Sequence, residues 1–351
     1  MNGGKITYVR WLVPDHRRYG RQYSRITLFG GGTVLPIIRF WVRPNRYNYA
    51  FGVGVRDLAF WPEFYPKEVI EKTKKFNFRL LGVRGEMSRE LLRGWEINSE
   101  VIGDPCLLLE PSSYKEKNDL IVLNLSSKRR MWGYANERVL REAIKLCRTL
   151  KGEGYSIVLV PFCKDDIPLV NRVSETAHVE VFENYRDIQA TINFIASSYV
   201  LIGERLHSAI FSASTYTPFI MIAYRPKCFD FVNTVGFRKY TIRTDEMSSE
   251  RVITLFNDLM ENWNYMRSQL IRNVEKYRKK LREFANRIID DIESLPDDKW
   301  STPNMIEYIK WRAFQQTDRV LHYRTHRIWR AWHSRARAKW LKEKAPRLET
   351  I

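Results

Sequence analysis

The stretch from Tyr199 to Gly236 constrains the fold more than any other part of the chain. Tyr199-Val-Leu-Ile-Gly203 is a short, continuous apolar run closed by glycine. Runs of this kind mark strands buried on both faces, as in parallel sheets. Ser208 to Ser214 packs small residues at helical spacing, which predicts a buried helix, and Phe219 to Tyr224 is a second buried strand. Strand, helix and strand in this order form the crossover unit of a parallel α/β sheet. Arg205 and His207 follow the C-terminal end of the first strand; Arg225 and Lys227 follow that of the second. Ligands of open α/β sheets bind at the carboxyl ends of strands, beside helix N-termini. Cations converging there suit a small, densely anionic ligand such as a phosphate or a carboxylate. Arginine can hold it bidentately and lysine as a point charge. His207 can donate a hydrogen bond or move a proton near neutral pH. The plainer alternative pairs Arg205 with Glu204 or another carboxylate and leaves His207 as a helix cap.

The flanking sequence repeats the pattern. Lys5 to Val13 alternates weakly and is expected to be a strand, followed by a basic, tyrosine-containing loop over Asp15 to Ser24. Ile26 to Phe29 is a short strand ending in Gly30-Gly31-Gly32-Thr33, where glycines let the backbone turn tightly or approach a ligand. Tyr49 to Val53 ends at Gly54, and Phe78 to Gly82 delivers Arg84. A helix over Ser88 to Arg93 leads to Glu100 to Ile102 and then to Asp104-Pro105. Strand, turn and helix in repetition predict a Rossmann-like half. Pro111 to Asn118 is polar and reads as an interdomain linker. Leu120 to Leu125 opens the second half, with Ser126-Ser127-Lys128-Arg129-Arg130 at its end. Further elements are a helix over Asn136 to Leu150, a strand over Ser156 to Phe162, a helix start at Asp165-Asp166 and a strand over Val179 to Phe182. Asp187 is placed to cap a helix running through Ser197, and Met247 to Ile292 forms one or two helices.

These residues also carry a resemblance. Arg205-Leu206-His207, the small-residue helix, Pro218, then Tyr224, Lys227 and Phe231 up to Gly236 resemble the polysaccharide pyruvyl transferase family. Val83-Arg84, with Glu86, Ser88 and Arg89-Glu90-Leu91-Leu92, resembles the family's segment after a central strand. Gly103-Asp104-Pro105, with Leu107 to Leu109, resembles the Asp-Pro that closes its first domain. Gly30-Gly31-Gly32 and Gly52-Val53-Gly54 match its two glycine turns. The resemblance runs from about Ile26 to Phe237. It implies an α/β fold of two Rossmann-like lobes of GT-B type, facing across a cleft, with a C-terminal helical extension. It also implies transfer of a pyruvyl group from phosphoenolpyruvate to a sugar hydroxyl of a glycan or lipid-linked precursor. Arg205 and His207 would be catalytic, with His207 protonating the enol carbon or assisting phosphate departure. Arg84, Lys227, Arg225, the Gly30, Gly31 and Gly32 turn, and Arg130 or its neighbour Arg129 would bind substrate. No cofactor and no metal is expected, because arginines neutralise the donor. Two departures stand out. Family members usually begin with a further strand, a Gly/Asn-rich turn and a long helix, whereas about two dozen residues precede Ile26, so a shortened opening unit is expected. Gly85 stands where the family commonly has Asp after the Arg.

The expected domains are residues 1–111 and 119–246 as the two lobes, 247–295 as returning helices and 296–351 as a separate tail. Four widely spaced cysteines, Cys106, Cys147, Cys163 and Cys228, show neither disulfide nor metal-ligand spacing, and Cys106 and Cys163 lie in apolar runs that suit buried thiols. No signal peptide and no transmembrane run is apparent, so the cytoplasm is the expected compartment. The net charge of +19 is concentrated in the tail: Lys310 to Arg347 holds 12 Lys or Arg against Asp318 and Glu343. Trp300, Trp311, Trp329, Trp332 and Trp340 lie there too. A basic, tryptophan-bearing helix suits an anionic membrane interface first, packing on its own domains second and nucleic acid third. Two other functions fit the pattern: a nucleotide-sugar glycosyltransferase of GT-B type, or a catalytically degenerate protein that binds membrane or nucleic acid.

Overall fold

Short runs of Val, Ile, Leu and Phe, each closed by glycine or a polar residue, become the strands of two parallel sheets. The structure is a computed structural model and describes residues 26–32, 35, 47–57, 70–71, 73–127 and 136–296. Expectations for Lys5 to Ser24, Arg129, Arg130 and the tail beyond residue 296 lie outside the described residues.

The first lobe holds β1 (Ile26–Gly30), β2 (Tyr47–Val53), β3 (Phe78–Val83) and β4 (Glu100–Val101), paired in that order and all parallel. Helix α1 (Glu86–Arg93) follows β3. The second lobe holds β5 (Leu120–Asn124), β6 (Ser156–Leu159), β7 (Glu180–Val181), β8 (Val200–Gly203), β9 (Phe219–Ala223) and β10 (Thr241–Arg243). Their spatial order is β10-β9-β8-β5-β6-β7, again all parallel. Helices α2 (Asn136–Gly152), α3 (Ile167–Ala177), α4 (Ile188–Ala196), α5 (Leu206–Ser214) and α6 (Pro226–Val235) connect these strands. Every residue of β5, β8 and β9 is buried, as a central parallel strand covered on both faces requires. The strand order reverses between β5 and β8. In open α/β sheets, the crevice outside the carboxyl ends of strands at such a reversal is where ligands bind.

Two helices end the described chain, α7 (Ser249–Glu261) and α8 (Trp263–Glu293). The apolar face of α8 recurs at Met266, Leu270, Val274, Tyr277, Leu281, Phe284 and Ile288. That spacing gives one continuous stripe. Its start belongs to the second lobe, where Trp263 stacks on Tyr199 at 4.8 Å and its indole N–H donates to the Tyr199 carbonyl. Its end belongs to the first, where Asp291 accepts from the Tyr49 hydroxyl at 2.6 Å and pairs with Arg79. Midway, Tyr277 presses on Gly103, where a Cβ would lie 3.0 Å from the tyrosine Cβ, and whose φ of +93° favours glycine. The helix therefore bridges both lobes. The segment between the lobes lies along α4: the Ser112 amide donates to Asn193 and the Lys117 amide to the Ser197 carbonyl.

Candidate active site

The crevice between β5 and β8 is built on one buried asparagine. Asn124, the last residue of β5, donates to the Val160 carbonyl at 2.8 Å and accepts from the Arg205 amide at 2.8 Å. It thereby fixes the exits of three adjacent strands. Arg205 is the N-cap of α5, and its side chain does not cap the first turn of that helix. Its amides are left facing the crevice, and anions favour such a position. The guanidinium of Arg205 turns toward α3: Nε donates to Asp166 at 3.1 Å, Nη2 donates to the same carboxylate, and Nη2 meets the Cys163 sulfur at 2.9 Å. Burial works against the charged form, but the bond and charge of Asp166 outweigh it and raise the Arg205 pKa. Glu204 is not the partner; its carboxylate accepts from the Ser126 amide. Arg205 thus takes the carboxylate partner that the plainer alternative foresaw, while Nη1 makes no hydrogen bond among the described residues.

Asp166 stands at a helix start, as the sequence indicates. Its side chain does not cap α3. It accepts instead from the Ser127 and Phe162 amides and from Arg205. Cys163 likewise sits partly exposed beside Arg205 rather than in the core.

Arg84 comes from the opposite lobe, at the end of β3. Its side chain is 1% exposed. Nε pairs with Asp104 at 2.5 Å and Nη2 donates to the Gly32 carbonyl at 3.2 Å. Asp104 is itself held by the Cys106 amide at 3.0 Å. The triple-glycine turn therefore supports Arg84, and its Gly31 and Gly32 carry φ of +55° and +65°. Nη1 of Arg84 is buried without a hydrogen-bond partner among the described residues. A buried donor left unmade costs about 1–3 kcal/mol, which a ligand oxygen would recover.

Helix α6 supplies the third side. Arg225 is its N-cap, without a side-chain cap, and Pro226 opens it. The Arg225 and Lys227 cations lie 5.1 and 5.2 Å from the centroid of the Tyr224 ring. Burial pushes the Lys227 ammonium down to about 8, with Arg84, Arg225 and Arg205 adding and Cys228 opposing. His207, in the first turn of α5, has its pKa lowered chiefly by the dense protein around it, with Asp104 opposing and Arg84, Lys227 and Arg205 adding. The residue is nonetheless exposed. Water there offsets part of the desolvation, so the downward direction is what the geometry supports: His207 is neutral at pH 7. That disfavours it as the group that protonates a carbon. Arg84 and Arg205 both act on His207 and on Lys227, so residues from both lobes share one crevice.

Two interlobe contacts had no sequence signal. Asp230, one turn after Lys227, accepts from the Ser88 hydroxyl at 2.6 Å and the Ser88 amide at 3.2 Å, at the N-terminus of α1. Ser88 in turn accepts from the Val55 amide at 3.0 Å. Burial raises the Asp230 pKa, with Ser88 and Arg84 opposing. Gly85 leaves room for this carboxylate: a Cβ there would lie 2.3 Å from the Asp230 Oδ1. The second contact is Arg278 of α8. It donates to the carbonyls of Leu107 (2.7 Å), Leu109 (3.1 Å) and Ser214 (2.8 Å), tying the exit of the first lobe to the C-terminus of α5. Isolated basic residues within a long helix give no hint of this. Arg130 falls outside the described residues.

Two parallel Rossmann-like lobes with cations at their facing strand ends define a GT-B-type α/β protein. The model of the polysaccharide pyruvyl transferases matches residues 3–226, and the chain belongs to that family. The amylovoran biosynthesis protein AmsJ of Erwinia amylovora is 25% identical over 146 residues, 38% of this chain and 35% of that protein. The match thus spans about a third of that relative's length. A solved structure from Listeria monocytogenes, described as a UDP-N-acetylglucosamine 2-epimerase, superposes with a TM-score of 0.52 at 12% identity, over 79% of this chain and 77% of that one. The trehalose-6-phosphate synthase OtsA gives 0.47 at 10% identity, over 76% and 72%. At such identities the likeness to solved structures is one of fold alone.

Proposed function

We propose that the protein transfers a pyruvyl group from phosphoenolpyruvate to a sugar hydroxyl of a polysaccharide precursor. One observation carries this: basic groups of both lobes share a crevice in which a buried guanidinium nitrogen of Arg84 has no partner among the described residues. The donor bears a phosphate and a carboxylate, and so calls for two anion subsites and a proton source. Arg84 Nη1, Arg205 Nη1 and Lys227 neutralise it, assisted by the uncapped first turn of α5. Protonating the enol carbon makes C2 electrophilic, a hydroxyl attacks it, and phosphate departs.

Phosphoenolpyruvate at a hundredfold excess over its Kd is expected to stabilise the protein by about 2.7 kcal/mol, a rise of several degrees in melting temperature. UDP- and GDP-sugars are expected to give no shift. The reverse result would assign the crevice to a nucleotide-sugar transferase. Arg205→Lys and His207→Gln are expected to keep the fold and lose transfer. Loss of one charge-assisted bond costs about 1.5–3 kcal/mol of donor binding in Arg205→Lys, whereas His207→Gln lowers turnover more than affinity. Both variants active at the wild-type rate would remove these residues from the site.

The basic tail adds a second, separable partner, an anionic membrane surface. Deleting Ser301 to Ile351 is expected to weaken binding to phosphatidylglycerol vesicles. Each surface cation contributes on the order of 1 kcal/mol, and the attraction falls with salt. Replacing Trp329, Trp332 and Trp340 with Ser is expected to weaken binding even at low salt, because insertion is apolar. Equal vesicle binding by the full and truncated chains, or retardation of nucleic acid without vesicle binding, refutes the membrane role.

A further inference from the structure

We propose that Lys227 is the catalytic acid and base of the crevice: its ammonium gives a proton to C3 of the bound enol ester and later recovers one from a sugar hydroxyl. The assignment rests on phosphoenolpyruvate being the donor. It starts from charge placement. Arg84 has Asp104 and Arg205 has Asp166, whereas Lys227 makes no ion pair and no side-chain hydrogen bond among the described residues. It stands in the first turn of α6, at the positive end of the helix dipole. Arg84 faces it from the β3–α1 turn, Arg205 and His207 from the start of α5, and Arg225, Tyr224 and Cys228 from its own segment. A desolvated lysine crowded by other cations gives up its proton readily. Its pKa, down to about 8, lies where one group can both give and take a proton near neutrality.

The neighbours are less suited. Guanidinium groups do not deprotonate in proteins. Burial holds the Tyr224 hydroxyl and the Cys228 thiol above their ordinary values, so both keep their protons. His207 is neutral at pH 7 and is free to accept.

The steps balance. The Lys227 N–H bond breaks and the enol π electrons form a C3–H bond, leaving positive charge on C2 and its ester oxygen. A sugar hydroxyl oxygen bonds to C2 and its proton passes to His207. The bond from C2 to the phosphate ester oxygen breaks, both electrons leave with phosphate, and phosphate takes the proton from His207. A second hydroxyl of the same acceptor closes on C2 and returns its proton to Lys227. One enol ester and one diol give one ketal and one inorganic phosphate, with no net oxidation.

The test follows C3 of phosphoenolpyruvate by proton NMR in D2O, in the presence of methyl β-glucoside, galactoside and mannoside, alongside donor binding by thermal shift. Wild type is expected to deuterate C3. Lys227→Arg is expected to bind the donor, Lys227→Met to bind it more weakly, and both to lose about 10²–10⁴-fold in rate, the usual worth of a positioned acid or base. Lys227→Cys alkylated with 2-bromoethylamine restores an amine at nearly the same place and is expected to recover most of the rate. The wild-type kcat/KM for deuteration should fall as pH rises through about 8, because the proton-donating form is lost there. The restored enzyme should show that limb at lower pH, since the thioether makes its amine less basic. A Lys227→Arg variant within tenfold of wild type overturns the assignment and leaves the donor reading standing. So does an alkylated cysteine that binds donor and stays inactive. A wild type that does not bind phosphoenolpyruvate overturns both, and one that binds it without deuterating C3 overturns the lysine alone.

Discussion

Arg278→Ala is expected to lower the melting temperature by about 5 °C or more, or to prevent the protein accumulating in soluble form. Arg278 is 3% exposed and donates to three main-chain carbonyls from two segments, one in each lobe. Its Nη1 also donates to Glu275 at 2.9 Å and to the Tyr216 hydroxyl. Alanine leaves those carbonyls without a donor, and removing one member of a buried charged network costs about 3–5 kcal/mol. Total stability is about 5–15 kcal/mol for a typical protein, so the loss is a large fraction of it. Arg278→Lys keeps the charge but lacks the planar fork, and is expected to fall between wild type and alanine. A further consequence reaches the crevice. The Ser214 carbonyl ends α5, the helix that begins with Arg205 and His207. A destabilised but folded lysine variant is therefore expected to bind donor more weakly than wild type. Thermal unfolding measures the first effect, and an Arg278→Ala melting within two or three degrees of wild type would refute the staple.

The elements of the second sheet were legible because their signals are local. Tyr199 to Gly203 and Phe219 to Tyr224 are apolar without interruption, and the structure places β8 and β9 there as neighbours. Asp187 caps α4 by accepting from the Ala190 amide, as its position before the helix indicates. The placement of β5 beside β8 was not legible, because nothing local says which strands meet after the chain reverses. That one adjacency sets where the crevice lies.

The same limit applies to the candidate site. Arg84, Arg205, His207 and Lys227 are recognisable as chemistry-bearing residues at strand ends, and the structure gathers them. Their partners are set by long-range packing. Asp166 lies 39 residues before Arg205, and its acidic character near a helix start has an adequate local explanation that turns out to be the lesser one. Asp104 shares a motif with Pro105, but only the fold aims it at Arg84, 20 residues away. Charge balance is therefore read from the structure: it separates paired Arg205 from Lys227, which the residue types alone leave equivalent.

Gly85→Asp is the substitution expected to disturb the crevice most directly. Extended backbone at Gly85, with φ of −154°, is open to any residue, so conformation does not demand glycine there. Space does. A Cβ would meet the Asp230 Oδ1 at 2.3 Å and the Asp230 carbonyl at 2.5 Å. The carboxylate found after the Arg in the family pattern is thus replaced here by one from the other lobe, occupying the place the side chain would take. Introducing aspartate sets two buried carboxylates against each other and breaks the Ser88 bonds. Overpacking costs about 1–3 kcal/mol, and disrupting a buried, hydrogen-bonded charge adds about 3–5 kcal/mol. The expected result is a drop of about 5–10 °C in melting temperature, taking about 1.4 °C per kcal/mol for a chain of this size. Adding Asp230→Ala to Gly85→Asp leaves a single charge and removes the side-chain clash, though not the approach to the main-chain carbonyl of residue 230, and is expected to recover part of the loss. Asp230→Ala alone destabilises by leaving the amide and hydroxyl of Ser88 unpaired, so the double variant should be more stable than the sum of its parts. If the two substitutions instead add independently, Gly85 and Asp230 do not share the space between the lobes. The Ser88–Asp230 contact would then have no part in holding Arg84 across from Lys227.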